Sequence, residues 1–406
     1  MRFKALTGFR DFGPRELAFR RWIEETWHQA ARGAGFEEFD GPVLEPLELF
    51  TVKSGDEIVA QLYAFTDKGD RPVALRPEMT PTLARMIAAR AAALPKPIKW
   101  YCVQQFFRYE RPQRGRGREF FQWNVDVIGA AEPAADAEVM AVAVEALRRL
   151  GLGADSLVLR VSDRRFLERM LRSLDAGADE VPQVLASIDK LERDPRAAER
   201  LKALLGPERA AELLGWCERM PVERADELEP VLEACRDFGL EAYVQPDFRI
   251  VRGLAYYTGP VWELFARGER LRALAGGGRY DGLIATLGGP KLPALGFGMG
   301  DVVLGELLRE RGLEPAVPPR VDVFVAAIGP EMLAPARRVL QRLRARGVRA
   351  DAPYGPVKLS RALRHANLSG AGRAVLVGPE EWSQGKVRVK DLRASGEVLV
   401  DLEDLE

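Results

Sequence analysis

Five arginines fall within eleven residues: Arg108, Arg111, Arg114, Arg116 and Arg118. Guanidinium forks match the geometry of phosphate and carboxylate, so an anion is the natural ligand of such a stretch. Just after it, Gln122, Asn124 and Asp126 alternate with Phe121, Trp123, Val125 and Val127. Period two puts the polar three on one face of a strand and the apolar four on the other. The aromatic and β-branched run 101–109 predicts a second strand. Pro112, Gly115 and Gly117 break the chain between them, which makes an antiparallel hairpin with a long basic loop. One face of that hairpin is apolar. The other gathers Arg108, Glu110, Gln122, Asn124 and Asp126 as the floor of a polar site. A solvated sheet face with a charged tip fits the same pattern.

Two further stretches carry chemistry. In PDFRIVRGLAYYTGPVWELF, Arg252 precedes Tyr256 and Tyr257. An arginine buried among tyrosines needs an anionic or acceptor partner; an ordinary strand with structural tyrosines fits the pattern equally. In LYAFTDKGDRPVALRPEMTPTLARMIA, two short strands flank the turn 67–70. Pro77 ends the second strand and Pro81 starts a helix with Thr80 as its N-cap. Glu78 and Thr80 then sit at a strand-to-helix turn, where simple capping would also explain them. The glycine run of ALAGGGRYDGL reads as a turn when taken alone.

The elements that must position these residues follow from pattern. Pro14 opens a helix whose Phe19, Trp22, Ile23, Trp27, Ala30 and Ala31 follow helical spacing. FEEFDGPVLEPLELF reads as a strand interrupted at Gly41–Pro42, and 136–150 as an amphipathic helix closed by Gly151. Residues 163–238 are helical in character, with no chemistry-bearing spacing. LPALGFGMGDVVLGELL reads as a strand running into a helix. A proline-rich linker at 313–320 precedes alternating β and α elements, which argue for a small parallel-type α/β domain over 320–406. There, Lys358, Arg361, Arg364, Lys386, Arg388 and Lys390 suit phosphate contacts or a solvated face.

Composition narrows the class. The 406 residues suggest two or three domains; 60 basic side chains balance 60 acidic ones, so nucleic-acid contact requires a local basic patch. Cys102, Cys217 and Cys235 are scattered without CxxC spacing, which disfavours a zinc site or disulfide framework. Only His28 and His365 are present, so a histidine-based catalytic dyad has almost no candidates. No apolar run reaches membrane length and no signal pattern opens the chain, so the expected location is cytoplasmic.

FRYERP, the basic loop and REFFQWNVDVIG together resemble motif 2 of class II aminoacyl-tRNA synthetases in its histidyl form. RGLAYYT, GGGRYDGL and LRPEMT resemble the histidine-recognition segments of that family, and the Gly41–Pro42 strand its motif 1. The resemblance spans nearly the whole chain. It implies an α+β fold: an antiparallel-sheet catalytic domain over 1–315 with a helical insertion at about 163–238, then an anticodon-binding domain over 320–406.

The implied activity is ATP-dependent histidine–tRNA ligation by a homodimer, with Mg²⁺ accompanying ATP and tRNA(His) as second substrate. Arg108 and Arg252 would bracket the α-phosphate, and Glu110 and Arg116 would reach ATP. Glu78 and Thr80 would hold the ammonium of L-histidine; Gln122, Asp126, Tyr256, Tyr257 and Tyr280 would hold the rest. Gln113 and Arg114 would meet the tRNA acceptor end. No dedicated metal cage is implied. Two departures stand out: Ala255 replaces a frequent aspartate, and Val303 occupies the position where the family commonly has an adenine-stacking arginine. Val303 points toward a second reading, a histidine-sensing regulatory subunit of ATP phosphoribosyltransferase. The intact basic loop and residues 321–406 point toward the ligase.

Overall fold

The computed structural model describes residues 3–52, 59–192, 194–219, 225–252, 256–268, 271–316, 319–394 and 396–405. The chain divides into two compact units, Met1–Pro315 and Ala316–Glu406.

The first unit opens with α1 (Pro14–Gly33), which has proline in its first turn, where a missing N–H costs nothing. Short elements follow: β1 (Glu37–Glu38), β2 (Leu44–Pro46), α2 (Leu47–Thr51), β3 (Tyr63–Thr66), β4 (Pro72–Leu75) and α3 (Thr80–Ala88). The hairpin is β5 (Ile98–Phe107) and β6 (Glu119–Ile128), antiparallel from Ile98↔Ile128 to Phe107↔Glu119. Then come α4 (Pro133–Arg149) and β7 (Leu157–Asp163). The helical stretch supplies α5 (Arg164–Ser173), α6 (Glu180–Ile188), α7 (Ala197–Leu205), α8 (Pro207–Glu218) and α9 (Glu229–Asp237). The unit closes with β8 (Val244–Pro246), β9 (Pro260–Ala266), β10 (Ala275–Arg279), α10 (Leu283–Thr286), β11 (Ala294–Gly300) and α11 (Asp301–Glu310).

One sheet organises this unit, in the order β1-β5-β6-β11-β10-β9-β7-β8. Its six central strands are antiparallel, and the two edge pairings, β1 with β5 and β7 with β8, are parallel. The odd-numbered face of β6 is apolar, as the alternation requires. Trp123, Val125 and Val127 are buried in the main core with Phe19, Ile23 and Trp27 of α1 and Val139, Ala143 and Leu147 of α4. Trp27 stacks on Trp123 at 6.0 Å, and Phe297 meets Trp123 edge-on at 5.0 Å. Each such aromatic pair adds about 0.5–1.5 kcal/mol beyond the area it buries.

The even-numbered face departs from a uniformly polar floor. Ile98, Cys102, Phe106 and Ile128 join a second apolar cluster with Met79, Tyr256, Tyr257 and Tyr280, so the polar residues occupy only the middle of the face. Two local expectations also change. Thr80 is the first residue of α3, not its cap; Met79 takes the cap position, and no side chain accepts a capping hydrogen bond there. The three glycines 276–278 lie within β10 rather than in a turn.

The second unit holds β12 (Val323–Ala327), α12 (Leu333–Ala345), β13 (Ala350–Asp351), α13 (Leu359–Leu368), β14 (Arg373–Val377), α14 (Pro379–Ser383), β15 (Lys386–Asp391) and β16 (Glu397–Asp401). Its sheet, β13-β12-β14-β15-β16, is parallel over the first three strands and antiparallel over the last two. Arg388 and Lys390 are engaged by Glu381 and Glu397, so these two cations of the hairpin are committed to neighbouring carboxylates.

Candidate active site

The even-numbered face of the sheet opens into a cleft of about 1340 Å³. Its shape comes from glycine. On this face β10 and β11 carry Gly276, Gly278, Gly296, Gly298 and Gly300; register pairs Gly276 with Gly298 and Gly278 with Gly296, and Gly276, Gly298 and Gly300 line the cleft itself. Two adjacent strands without side chains leave a trough, and side chains from flanking segments lean into it. A Cβ added at Gly276 would overlap the guanidinium of Arg252; at Gly296, the Asp126 carboxyl; at Gly298, the Gln122 amide. At Gly278 it would stand 3.0 Å from the Tyr257 ring. Four of the side chains singled out in the sequence thus owe their positions to the glycines opposite them.

Arg252 has a left-handed backbone, φ 63°, unusual for a residue with a side chain. Its Nη1 donates to Glu263 Oε1 on β9 at 2.6 Å. Burial alone would lower the Arg252 pKa, but Tyr257 and Glu263 beside it carry it above the ordinary value. Arg108 lies just past the end of β5. Its Nε donates to the Pro77 carbonyl at 3.0 Å, and its head lies 5.3 Å from the Phe120 ring. Arg108 and Arg252 line the same cleft. Both also bear on one buried carboxyl, that of Glu78: burial raises its pKa, while a hydrogen bond from Tyr256 and the charges of Arg108 and Arg252 pull it back.

Glu78 is 5% exposed and accepts from the Tyr256 hydroxyl at 2.6 Å. The strand-to-helix turn carrying it is pinned by Arg76, only 1% exposed, whose guanidinium donates to the carbonyls of Gly41 and Gln105 and to Gln104 Oε1. Thr80 contributes its hydroxyl to the same Tyr256. Asp126 is 3% exposed and accepts from the Tyr280 hydroxyl at 2.6 Å. Burial pushes its pKa up to about 7, partly offset by that hydrogen bond. The rings of Tyr256 and Tyr257 lie 5.2 Å apart, and those of Tyr256 and Tyr280 6.1 Å apart. The carboxyl–tyrosine pairs therefore form one compact group beside the trough.

The basic loop is itself a small hairpin. Gln113 and Arg116 exchange two backbone hydrogen bonds around Arg114 and Gly115, and Gly115 supplies the positive φ of 73°. Arg116 pairs with the buried Glu110. Arg114 is held by Glu306 and Glu310 of α11, and the Gly115 N–H donates to Glu306 Oε1 at 3.1 Å. Val303 lies on the same face of α11, and a Cβ at Gly115 would stand 3.2 Å from it. The loop tip is thus fastened to the helix on the face that carries Val303. Gly253, Leu254 and Ala255 lie outside the described residues.

Sequence reasoning missed two contributors to the site, and two further arginines along the cleft. Glu263, the partner of Arg252, was signalled as the one charge in the apolar strand PVWELFA. Phe120 flanks Arg108 as part of the cleft wall, but it read as one more apolar residue. Arg160 and Arg249 line the cleft further out; Arg249 sits in the same quoted stretch as Arg252 without standing out, and Arg160 lies far from any motif.

Known proteins resemble the chain over its whole length. The model of the family described as "Histidyl-tRNA synthetase" matches residues 8–300, and that of "Anticodon binding domain" matches 322–406. The chain is 41% identical to the "Histidine--tRNA ligase" of Opitutus terrae, covering 100% of this chain and 97% of that protein. It is 40% identical to the chloroplastic/mitochondrial "Histidine--tRNA ligase" of Arabidopsis thaliana, covering 98% and 85%. Among solved structures, histidyl-tRNA synthetase from Nostoc sp. PCC 7120 superposes with a TM-score of 0.81 at 24% identity, covering 100% and 99% of the two chains. A Bacillus halodurans protein titled ATP phosphoribosyltransferase regulatory subunit/histidyl-tRNA synthetase shares the fold at a TM-score of 0.75 and 22% identity, covering 93% and 98%. With a family model over most of its length and relatives near 40% identity end to end, the chain belongs to the histidyl-tRNA synthetase family.

Proposed function

We propose that this chain is a histidine–tRNA ligase and that the glycine trough is where it activates histidine. In this reading the histidine carboxylate attacks the α-phosphorus of ATP, the bond to the β-phosphate breaks, and pyrophosphate leaves. The 3′-terminal ribose hydroxyl of tRNA(His) then attacks the carbonyl of histidyl-adenylate and AMP leaves. Neither step needs a nucleophilic side chain. Both need fixed positive charge where negative charge accumulates. The observation that carries the reading is the convergence of Arg108 and Arg252, from distant segments, on one cleft and one buried carboxyl. At an effective dielectric near 20, each such charge about 4 Å from the reacting phosphate contributes roughly 4 kcal/mol.

The remaining roles follow from chemistry. Glu78, with Tyr256 and Thr80 beside it, holds the substrate ammonium. Asp126 and Gln122 accept from and donate to the imidazole, with Tyr257 and Tyr280 as its walls. A site whose polar groups pair with both ring nitrogens rejects apolar analogues, because those groups would be left unpaired. Phe120 and Val303 offer the purine apolar surface, and Glu110 and Arg116 reach the nucleotide. Mg²⁺ comes with ATP. Among the cleft carboxylates, Glu110 and Glu263 are engaged by Arg116 and Arg252, and Glu192 by Arg160 and Arg249, so the ion would arrive with the nucleotide rather than sit in a dedicated protein cage, and would neutralise charge on the phosphates.

No helix among the described residues is long and apolar enough to cross a membrane. The reading places the enzyme in the cytoplasm, where ATP and tRNA are at hand. Val43, Leu44, Val52 and Phe65, all exposed on or beside the small β2-β4-β3 sheet, offer an apolar face for a homodimer. The regulatory-subunit alternative loses ground: the curated relatives that match over the full length are named as ligases.

The test is ATP–pyrophosphate exchange with each amino acid in turn. Exchange dependent on histidine alone supports the reading, and its absence with histidine refutes it.

A further inference from the structure

The cleft extends past Arg252 to a second pair of cations. Arg160 on β7 lies in register with Glu263 on β9, one strand further out than the carboxylate that holds Arg252. Arg160 and Arg249 share two carboxylates of different character. Asp247 is buried; it accepts from Arg249 Nε at 2.9 Å and Nη2 at 2.7 Å, lies 3.5 Å from Arg160 Nη1, and also accepts from the Arg249 backbone N–H. It is a built-in brace that orients both heads.

Glu192 differs. It belongs to the turn after α6, in the helical stretch, and its side chain is 43% exposed. It accepts from Arg160 Nη1 at 2.9 and 3.1 Å, and its Oε1 lies 2.8 Å from Arg249 Nη1. One carboxylate thus spans two guanidinium groups, an arrangement a phosphate oxyanion reproduces. Arg160 Nε is buried and has no hydrogen-bond partner among the described residues, so the head of Arg160 is held through its Nη1 alone.

We propose that the Arg160–Arg249 fork is a phosphodiester subsite for the acceptor strand of tRNA, held by Glu192 until the strand arrives. The inference rests on the reading of this chain as a histidine–tRNA ligase. Charge selects the ligand. Two arginines facing Asp247 and Glu192 are balanced, and a phosphodiester carries one negative charge, as Glu192 does. Exchanging one for the other keeps the balance, whereas the several charges of pyrophosphate do not. Location agrees. Glu263 stands between this fork and Arg252, so a second phosphate of ATP reaching outward would meet a carboxylate first. The fork is also part-exposed, with side chains of Arg160 and Arg249 23% and 35% accessible, as suits a polymer that continues into solvent. Displacing a part-exposed carboxylate is easy, because such ion pairs are weak.

The experiment uses the full chain and transcribed tRNA(His), comparing wild type, Arg249→Gln, Arg249→Lys and Glu192→Gln. Arg249→Gln should raise the KM for tRNA about tenfold and flatten its salt dependence by about one phosphate contact. Histidine-dependent pyrophosphate exchange should stay within twofold, and Arg249→Lys should restore part of the loss. Glu192→Gln, an exposed change that leaves the fold intact, should lower the KM for tRNA severalfold. A tRNA KM within twofold of wild type in both Arg249→Gln and Glu192→Gln overturns the proposal. So does an equal loss of exchange and charging in Arg249→Gln, which would assign the fork to ATP. If Arg249→Gln melts early, Glu192→Gln alone decides. Wild-type protein without histidine-dependent exchange would instead defeat the ligase reading itself.

Discussion

Gly276→Ala should abolish most catalysis while sparing the fold. The added methyl would occupy space taken by the Arg252 guanidinium, with Cζ 2.7 Å and Nη2 3.2 Å from it. Ordinary contact begins near 3.5 Å, so the head group must retreat by about 1 Å. It is the free end of a long side chain, so little else has to move and stability changes little. Position is what suffers: the 2.6 Å bond to Glu263 is lost, and a displacement of this size costs on the order of 100-fold in rate. That corresponds to about 2.7 kcal/mol of transition-state stabilisation. The adjacent Gly277→Ala is the control. Its methyl points to the opposite face and meets the Gly296 carbonyl and the Phe297 backbone, which cannot step aside. It should destabilise the protein by about 1–3 kcal/mol through overpacking. Pyrophosphate exchange and calorimetric melting, run on both variants, separate the two outcomes. Exchange by Gly276→Ala within threefold of wild type, at an unchanged melting temperature, would refute the claim that the trough positions Arg252.

Three further expectations concern other parts of the site. Glu263→Gln should lower the rate of exchange about tenfold with little change in the KM for histidine; a shifted histidine KM with an intact rate would remove Glu263 from the Arg252 argument. Because burial pushes the Asp126 carboxyl up to about 7, its ionised fraction falls about fivefold between pH 7 and pH 6, so the KM for histidine should rise about fivefold beyond what ionisation of free histidine explains, and Asp126→Asn should remove that extra dependence. The same raised carboxyl pKa means the unfolded chain releases this proton first. Its stability penalty is absent below about pH 4 and grows as pH rises towards 7, so Asp126→Asn should raise the melting temperature more at pH 7 than at pH 4. Finally, Leu44→Asp should shift the protein from dimer to monomer in sedimentation equilibrium; a wild type already monomeric at micromolar concentration would contradict the apolar-face argument.

Much of this was legible in the sequence because period two is a strong signal. The alternation in FFQWNVDV fixes which face of β6 each side chain takes, and Trp123, Val125 and Val127 enter the core as it requires; of the polar three, Gln122 lines the cleft, whereas Asn124 and Asp126 are buried on that face. The arginine-rich loop and the Pro77–Pro81 turn announced themselves by residue type. The glycine run spoke only through its resemblance to the family: taken alone, three glycines in a row say turn, and pairing with a second glycine-bearing strand is what makes a trough of them. Thr80 misled for a related reason. Its type suits a cap, but Thr80 is already the first helical residue and the cap position falls to Met79, which packs into the second core. Arg249 stood in the same stretch as Arg252, but its link to Arg160 and Glu192 was invisible, since neither spacing nor composition joins a β-strand, a loop and a helical turn spread over about ninety residues.

The two-sidedness of β6 also limits how its length can drift. Adding or deleting one residue inside Glu119–Ile128 would turn Gln122 and Asp126 toward α1 and present Trp123 and Val125 to the substrates. No single compensating substitution repairs an inversion of that kind. Length variation among functional descendants of this chain should therefore collect at the hairpin tip around Arg114 and Gly115, and the ten residues of the strand should be inherited without gaps.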